Sequence, residues 1–406
     1  MPPLRCSGPD LYDANGRTRV VAPSPVAVDE KIDSVLVILT RQLGDVLLST
    51  PLIRAARERW PSARIDVLGF AGTLAVLRGN PDVNAFVEVK QGEGWRQSWP
   101  LVKWLWRRYD LALICEFSDR AHLYGLIAAR KRSGQVAHQW TRSWWKRLTL
   151  NHATGFDAVP AHLVLEKLKV IAPWAPPQPH IEMMPPAAQA LPPDLQARLQ
   201  PKFVVMHAPS LVRYKQWPVA HYAKVAGTLA RRGVQVVLTG SGSESDRHCT
   251  AEVARGADSP LVLDQAGNLD FGQLVTLLRS AALYVGPDTS ITHLAAACGT
   301  PMVALFGPTD PRQWGPWPQG SSARQPYVRH QGVQREGRII LLQGPQPCVP
   351  CRQSGCERHD ASRSDCLETM DPERVMAQID QILNVPVPAD ATPEHQADHT
   401  RILQRG

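Results

Sequence analysis

Short apolar runs alternate with longer amphipathic stretches in the first part of the chain, which is the pattern of buried parallel strands connected by helices. Strands are predicted at residues 34–40, 64–70, 85–89 and 111–115. Helices are predicted at residues 46–60, which Pro61 would end, and around residues 99–108. The alternation of strands with helices favours a doubly wound parallel sheet.

A second series of the same kind follows a proline-rich segment. Eight of the 21 residues from Pro173 to Pro193 are proline, a density that breaks helices and suits a semi-rigid connector. After it, strands are predicted at residues 203–207, 234–238, 283–285 and 302–306, and helices at residues 219–232, 270–280 and 291–298. Two such α/β halves place a cleft at the carboxyl ends of their strands.

The pattern therefore predicts an α/β protein of two domains. Its expected parts are a tail at residues 1–30, a first domain at 31–175, a linker at 176–200, a second domain at 201–385 and a tail at 386–406.

Composition adds a charged and aromatic segment to this picture. Lys and Arg number 45 against 37 Asp and Glu, and the segment from Lys90 to Leu150, with twelve basic and four acidic residues, accounts for the whole excess. Seven of the 12 tryptophans lie in the same segment, namely Trp95, Trp99, Trp104, Trp106, Trp140, Trp144 and Trp145. Such a segment indicates an anionic partner, which can be a nucleic acid, a membrane surface or a phosphorylated substrate.

Several classes of protein are disfavoured. No apolar run approaches the roughly 18–20 residues that span a bilayer, and residues 1–30 lack an apolar core of signal-peptide length, so we expect a cytoplasmic protein. Eight cysteines in a chain of 406 residues do not make a disulfide framework. Four of them cluster at Cys348, Cys351, Cys356 and Cys366, which leaves open either reduced thiols that fasten a loop or a tetrahedral zinc site.

The turn after the first predicted strand carries Asp45. Leu43, Gly44 and Asp45 connect this strand to a helix, so Asp45 lies near a helix start and beside the cleft. A carboxylate in that place can act as a general base toward a substrate hydroxyl. The alternative, which the spacing alone favours, is an ordinary helix N-cap that contributes about 1 kcal/mol.

The second domain carries polar side chains after two of its strands. Ser210 and Lys215 follow the strand that ends at His207, and a lysine ammonium suits a diphosphate. Glu244 follows the next strand and can accept a hydrogen bond from a ribose. Taken singly, Lys215 and Glu244 are better explained as solvated loop residues.

A third strand of the second domain runs into a helix N-terminus. Its free N–H groups favour an anion, and Thr289 and Ser290 add hydroxyl donors. Asp288 would repel phosphate, so it suits a sugar hydroxyl or holds the loop, and His293 lies one turn into the helix. The alternative is a capped helix with a core histidine.

Together these segments resemble glycosyltransferase family 9, the family of the heptosyltransferases that build the inner core of lipopolysaccharide. The resemblance is carried by residues 44–51 (GDVLLSTP), 215–218 (KQWP), 288–297 (DTSITHLAAA) and 305–309 (LFGPT), which follow the order of the family. It spans residues 34–385 and implies the GT-B fold, in which two Rossmann-like domains face a central cleft and the second holds the sugar nucleotide.

The resemblance also implies roles for the candidate residues. Asp45 matches the base that deprotonates the acceptor hydroxyl, Lys215 and Ser210 match residues beside the donor diphosphate, and Glu244 matches an acid near the nucleoside. The donor-binding loop and helix of the family match Asp288, Thr289, Ser290 and His293. The implied reaction is inverting transfer of L-glycero-D-manno-heptose from ADP-heptose, with no metal and no cofactor required.

Some details look more like one subgroup of the family. Ser290 stands where the family often has glycine, Lys215 lies eight positions after His207, and residues 364–369 read SDCLET. These features resemble the heptosyltransferase III subgroup, whose members attach a side-branch heptose to the second core heptose.

The basic, tryptophan-rich segment falls in the domain that binds the acceptor in this family. The implied acceptor is Kdo2-lipid A that carries core heptose, whose phosphates and carboxylates suit Arg and Lys and whose lipid part implies peripheral contact with the cytoplasmic face of the inner membrane. Residues 140–147 (WTRSWWKR) are the best candidate for that contact, the alternative being that half of the tryptophans are core residues. Nucleic-acid binding is disfavoured because no known binding module accompanies the charge.

Two other functions stay open. A family 9 transferase can act on another glycan or on a protein, and a sugar-nucleotide epimerase is built on the same two-domain scaffold. The epimerase would need no acceptor, so the basic segment argues against it.

Overall fold

The computed structural model describes residues 31–92, 97–137, 139–155, 161–175, 181–321 and 325–383. The predicted tails at 1–30 and 386–406, Trp95 and part of the predicted linker therefore lie outside the described residues.

The strands, in chain order, are β1 (Ser34–Leu39), β2 (Arg64–Phe70), β3 (Ala85–Val89), β4 (Tyr109–Ile114), β5 (Ala129–Gln135), β6 (His152–Thr154), β7 (Phe203–His207), β8 (Gln235–Thr239), β9 (Val262–Asp264), β10 (Leu283–Pro287), β11 (Met302–Phe306), β12 (Val333–Glu336) and β13 (Ile339–Gln343). The α-helices are α1 (Leu43–Leu47), α2 (Thr50–Arg59), α3 (Trp99–Leu105), α4 (Asp119–Ala128), α5 (Trp140–Thr149), α6 (Leu163–Leu168), α7 (Pro193–Arg198), α8 (Val219–Arg231), α9 (Glu244–Ala257), α10 (Phe271–Ser280), α11 (Ser290–Ala297), α12 (Pro311–Trp314), α13 (Asp365–Glu368) and α14 (Pro372–Leu383). Short 3₁₀ turns occupy Thr73–Leu77 and Arg213–Lys215.

The first sheet has six parallel strands in the order β3-β2-β1-β4-β5-β6. Its central strand β1 is buried along nearly its whole length, as expected for an apolar strand covered on both faces. The strand order reverses direction between β1 and β4, so the loops that follow these two strands diverge. This reversal leaves a crevice at their carboxyl ends.

The second sheet has seven strands in the order β12-β13-β11-β10-β7-β8-β9, and only β12 pairs antiparallel to its neighbour. Here the order reverses between β7 and β10, which places a second crevice after those strands. The α/β prediction with doubly wound parallel sheets is therefore confirmed.

The two halves share apolar packing. Leu47 of α1 and Leu294 of α11 are fully buried in the same apolar cluster. Helix α1 follows β1 of the first sheet, and helix α11 follows β10 of the second. The segment between the halves is tied to both, because the N–H of Ala187 donates to the carbonyl of Arg78 and that of Gln189 to the carbonyl of Gly272, each at 3.0 Å. None of the described helices is long and apolar enough to cross a membrane.

The predicted helix at 46–60 is in fact two helices, α1 and α2. Pro51 stands in the first turn of α2 and has no N–H to donate to Leu47. The hydroxyl of Thr50 donates to that carbonyl instead, at 2.8 Å, and the hydroxyl of Ser49 donates to the carbonyl of Asp45 at 2.7 Å. The break leaves α1 as a helix of 5 residues, separate from α2.

Candidate active site

The first half of the chain meets the second where α1 packs on the start of α11. A Cβ added at Gly44 would lie 3.6 Å from the Cα of Ser290 and 3.7 Å from the Cδ2 of His293, which is ordinary van der Waals distance. The backbones of α1 and α11 therefore lie close together, and their contact leaves room for a Cβ at this position. Asp45, the next residue, is brought to the loop that precedes α11.

Asp45 is not a helix cap. The N-cap of α1 is Gln42, and Asp45 is the third residue of that helix, so the N-cap interpretation is wrong. Its carboxylate lies 3.8 Å from the guanidinium of Arg41, whose side chain is about half exposed. The Asp45 carboxylate therefore does not serve as the N-cap of α1.

Lys215 and Asp288 form the centre of the site. The Nζ of Lys215 lies 2.7 Å from the Oδ2 of Asp288, and the carboxylate side chain is almost completely buried. Lys215 ends a 3₁₀ turn in the loop after β7, and Asp288 follows β10 directly. The two loops diverge from adjacent strands, so the ion pair spans the crevice of the second sheet.

The ion pair keeps both partners charged. Burial by itself would lower the pKa of Lys215, but the charge and hydrogen bonding of Asp288 outweigh it and raise that pKa, with a smaller contribution from Asp45. Burial would likewise raise the pKa of Asp288, but Lys215 holds it below its usual value. A half-buried ammonium and a buried carboxylate therefore keep each other charged.

His293 is a neutral neighbour of this pair. Burial lowers its pKa to about 4, although Asp288 and Asp45 act in the opposite direction. Its Nδ1 is buried and has no hydrogen-bond partner among the described residues. The structure places it in the first turn of α11, as the sequence predicted, and it presents an uncharged ring to the site.

The start of α11 is fixed by a small polar anchor. The hydroxyl of Thr292 donates to the carbonyl of Pro287 at 2.5 Å and lies 2.9 Å from the hydroxyl of Tyr284. Gly286 leaves room for this tyrosine, because any Cβ there would overlap its ring. Thr289 is the N-cap but makes no side-chain capping bond. Asp288 does not cap α11 either, so the capping part of the alternative interpretation is wrong, whereas His293 is buried, as its core-histidine part expects.

Ser210 and Glu244 lie on the same edge of the sheet but outside this cluster. Ser210 is half-buried in the loop after β7, and Glu244 is exposed as the first residue of α9, after β8. Within the described part of the chain, neither makes a hydrogen bond or an ion pair with Lys215 or Asp288. Their binding roles stay predictions.

Two polar side chains at the site escaped the sequence analysis. Glu116, which follows β4, is buried and accepts a hydrogen bond from the N–H of Thr40 at 2.6 Å, so it joins the loops on both sides of the first crevice. Thr309 helps to lower the pKa of Asp288 through a hydrogen bond. The sequence signal for Glu116 was its position directly after a strand-like apolar run. The signal for Thr309 was its position at the end of the LFGPT segment.

The four cysteines of the predicted cluster lie in the segment that follows β13. Cys348 and Cys356 are exposed and Cys366 is buried. Burial and the three neighbouring thiols raise the pKa of Cys366 to about 12, and the N–H of Asp365 donates to the Sγ of Cys356 at 3.4 Å. Among the described residues no group of three or more metal-binding side chains is arranged to hold an ion.

The chain matches the family model described as glycosyltransferase family 9 (heptosyltransferase) over residues 99–331, which is more than half of its length. The matched range contains Lys215 and Asp288 but begins after Asp45. The position of Asp45 in the site therefore rests on the packing of α1 against α11.

Curated relatives cover most of the chain. It is 31% identical to lipopolysaccharide heptosyltransferase 3 of Escherichia coli over 292 residues, which is 68% of this chain and 83% of the relative. It is 27% identical to lipopolysaccharide heptosyltransferase 2 of Salmonella typhimurium over 307 residues, with the same two coverages.

Solved structures share the fold. The ADP-heptose lipopolysaccharide heptosyltransferase II of E. coli superposes with a TM-score of 0.65 at 23% identity and covers 86% of this chain and 98% of its own. E. coli heptosyltransferase WaaC with ADP-2-deoxy-2-fluoro heptose superposes with a TM-score of 0.62 at 18% identity, covering 86% and 99%. These likenesses confirm the predicted GT-B fold. By its family match and its identity to curated relatives, the chain belongs to glycosyltransferase family 9.

Proposed function

We propose that this chain transfers L-glycero-D-manno-heptose from ADP-heptose to a heptose of the lipopolysaccharide inner core, with inversion at the anomeric carbon. The observation that carries the proposal is the convergence of Asp45, from the first half, with the Lys215–Asp288 pair of the second. The relatives that are named lipopolysaccharide heptosyltransferases support the choice of donor and acceptor.

In the proposed reaction the acceptor hydroxyl gives its proton to the carboxylate of Asp45. The acceptor oxygen then attacks the anomeric carbon of the heptose, a new C–O bond forms, and the bond from that carbon to the β-phosphate oxygen breaks. ADP leaves from the opposite face and takes the bonding electron pair. The first domain (31–175) would bind the acceptor and the second (201–385) the donor, on either side of the linker (176–200).

The leaving diphosphate gains negative charge, which Lys215 and the N-terminus of α11 would stabilise. An ammonium has three N–H groups, and Asp288 occupies one direction around it. Asp288 would thus hold Lys215 in place and leave its other N–H groups for the phosphates. Thr289 and Ser290 would add hydroxyls, while Ser210 and Glu244 would contact phosphate and ribose.

The test is heptose transfer by the wild type and by Asp45→Asn to defined truncated core acceptors. We expect the substitution to lower kcat by about 10²–10⁴-fold, the usual contribution of a general base, while the Kd for ADP-heptose stays within about twofold. Asp33→Asn, which changes an exposed carboxylate ahead of β1, is the matched control and should behave as the wild type. Full activity of Asp45→Asn would remove Asp45 as the base.

The identity of the acceptor is tested by varying the number of core heptoses that the acceptor carries. If the chain acts as its heptosyltransferase 3 relatives are named, transfer requires an acceptor that already carries two core heptoses, and the product has an inverted anomeric configuration. Transfer to a protein, to another glycan, or epimerisation of a sugar nucleotide without any acceptor would each contradict the proposal. We also propose that the chain works at the cytoplasmic face of the inner membrane, where a lipid-anchored acceptor would be reached.

A further inference from the structure

An exposed aromatic surface covers the outside of α3 and α5. It consists of six apolar side chains that we call the tryptophan face: Trp99, Trp104, Trp106, Trp140, Trp144 and Leu148. All six are between 40% and 73% exposed. Of the six described tryptophans of the basic segment, only Trp145 is half-buried, so the interpretation that half of them are core residues is wrong.

The exposed stripe on α5 follows the helical repeat. Trp140, Trp144 and Leu148 are four residues apart and share one side of the helix, with 63%, 52% and 73% of their surfaces exposed. The opposite side buries Ser143 and Lys146. The apolar stripe of α5 thus points away from the protein, contrary to the usual orientation of a surface helix. Such a patch marks an interaction site.

Arginine side chains accompany the tryptophan face. α4 packs against both α3 and α5, so the two helices flank it on one side of the first sheet. The guanidinium of Arg108 lies 4.1 Å from the ring centroid of Trp104, and that of Arg147 lies 5.7 Å from the ring centroid of Trp140. Indole rings accompanied by Arg suit the headgroup level of an anionic bilayer.

We propose that the tryptophan face docks the protein on an anionic lipid surface. The proposal rests on the proposed function, because the lipid-anchored acceptor would lie in that surface. Charge argues against a second copy of the chain as the occupant. The segment from Lys90 to Leu150 carries an excess of eight positive charges, and an interface between two copies would bring these like charges together.

Helix α5 is bonded to the loop that follows β4, beside the crevice of the first sheet. The Nζ of Lys146, on the buried side of α5, donates to the carbonyl of Phe117 and lies 2.7 Å from the carboxylate of Asp119. Phe117 follows Glu116, which bonds to Thr40 at the end of β1. Lipid contact through α5 would therefore hold the crevice between β1 and β4 beside the membrane surface.

The test is cosedimentation with vesicles of phosphatidylcholine alone and with added phosphatidylglycerol. We expect the wild type to bind the anionic vesicles at least tenfold more tightly than the neutral ones and to be released by 1 M salt, where the Debye length falls to about 3 Å. The variant Trp140→Ser/Trp144→Ser/Leu148→Ser should lose at least tenfold in vesicle affinity. Leu148→Glu tests the same face with one substitution at an exposed position.

The matched control is Phe86→Ser/Val328→Ser, which removes two exposed apolar side chains elsewhere and should leave vesicle binding unchanged. Turnover of a delipidated core acceptor separates this proposal from the proposed function. We expect the triple variant to turn over that acceptor as the wild type does. Membrane docking would be overturned by unchanged vesicle binding of the triple variant, by slower turnover of the delipidated acceptor by that variant, or by a wild type that is dimeric in solution and a triple variant that is monomeric. A wild type that is inactive on the delipidated acceptor but binds vesicles would overturn only the transferase proposal.

Discussion

At the scale of single residues, the site depends on an ion pair in which replacement of either residue lowers the stability of the protein. Lys215 and Asp288 hold each other charged, Asp288 in a buried position and Lys215 in a partly exposed one. Removal of Lys215 leaves Asp288 as an uncompensated buried charge, which destabilises the fold by about 3–5 kcal/mol, whereas the partly exposed Lys215 loses less when Asp288 is removed. A loss of activity in a single variant would therefore not distinguish binding from stability.

A double substitution separates the two effects. Lys215→Met should lower both the free energy of unfolding and kcat, since Asp288 loses its counter-charge and the diphosphate loses its cation. Lys215→Met/Asp288→Asn should recover most of the stability, because no buried charge remains, but not the activity. The measurements are urea unfolding and kcat with saturating ADP-heptose. If the double variant also recovered turnover, Lys215 would act only as a structural partner of Asp288.

At the scale of elements, the sequence analysis predicted the parts that bury apolar runs. The ranges of β7 and β11 agree with the prediction residue by residue, because their side chains are buried on both faces of the sheet. It missed β5, whose sequence ARKRSGQ has no apolar run. That strand exists because its backbone pairs with β4 and β6, a tertiary cause that local pattern does not contain.

The site was predictable to a similar extent. Motif order selected Asp45, Lys215, Asp288 and His293, and the structure brings all four together. The contact between α1 and α11 was not predictable, because residues 44 and 290 are joined only by the packing of two separate sheets. Glu116 was missed for the same reason, since its partner Thr40 is 76 residues away.

That contact gives a prediction about Gly44. Gly44→Ala should keep activity and stability near those of the wild type, since the added Cβ would meet Ser290 and His293 at ordinary contact distances. Gly44→Leu should push α1 away from α11 and lower kcat/KM by about 10²-fold, because displacement of a reacting group by about 1 Å costs that much. Steady-state kinetics and thermal melting of both variants check this. Equal activities would show that α1 need not touch α11.

At the scale of the whole molecule, both halves bury neutral histidines. Burial lowers the pKa of His122 in the first half to about 4 and that of His162, which precedes α6, to about 3. It lowers the pKa of His207 and His293 in the second half to about 4. His162 also connects the halves, since its Nε2 lies 2.7 Å from the carbonyl of Gly315. Protonation of these rings would therefore destabilise the cores of both halves and the contact between the halves.

The stability of the protein should consequently fall as pH falls below about 6.5. Each of these histidines binds a proton more readily in the unfolded chain, whose pKa is about 6.5, so unfolding takes up protons between that value and about 4. At pH 5.5 each contributes about 1 kcal/mol of destabilisation relative to pH 7.5. The lowered pKa of Asp288 acts only near pH 4 and below, outside this window. Urea unfolding at pH 7.5 and 5.5 should show the loss, and His207→Asn should reduce it by about 1 kcal/mol. A free energy of unfolding that stays constant between these pH values would contradict the burial of neutral histidines.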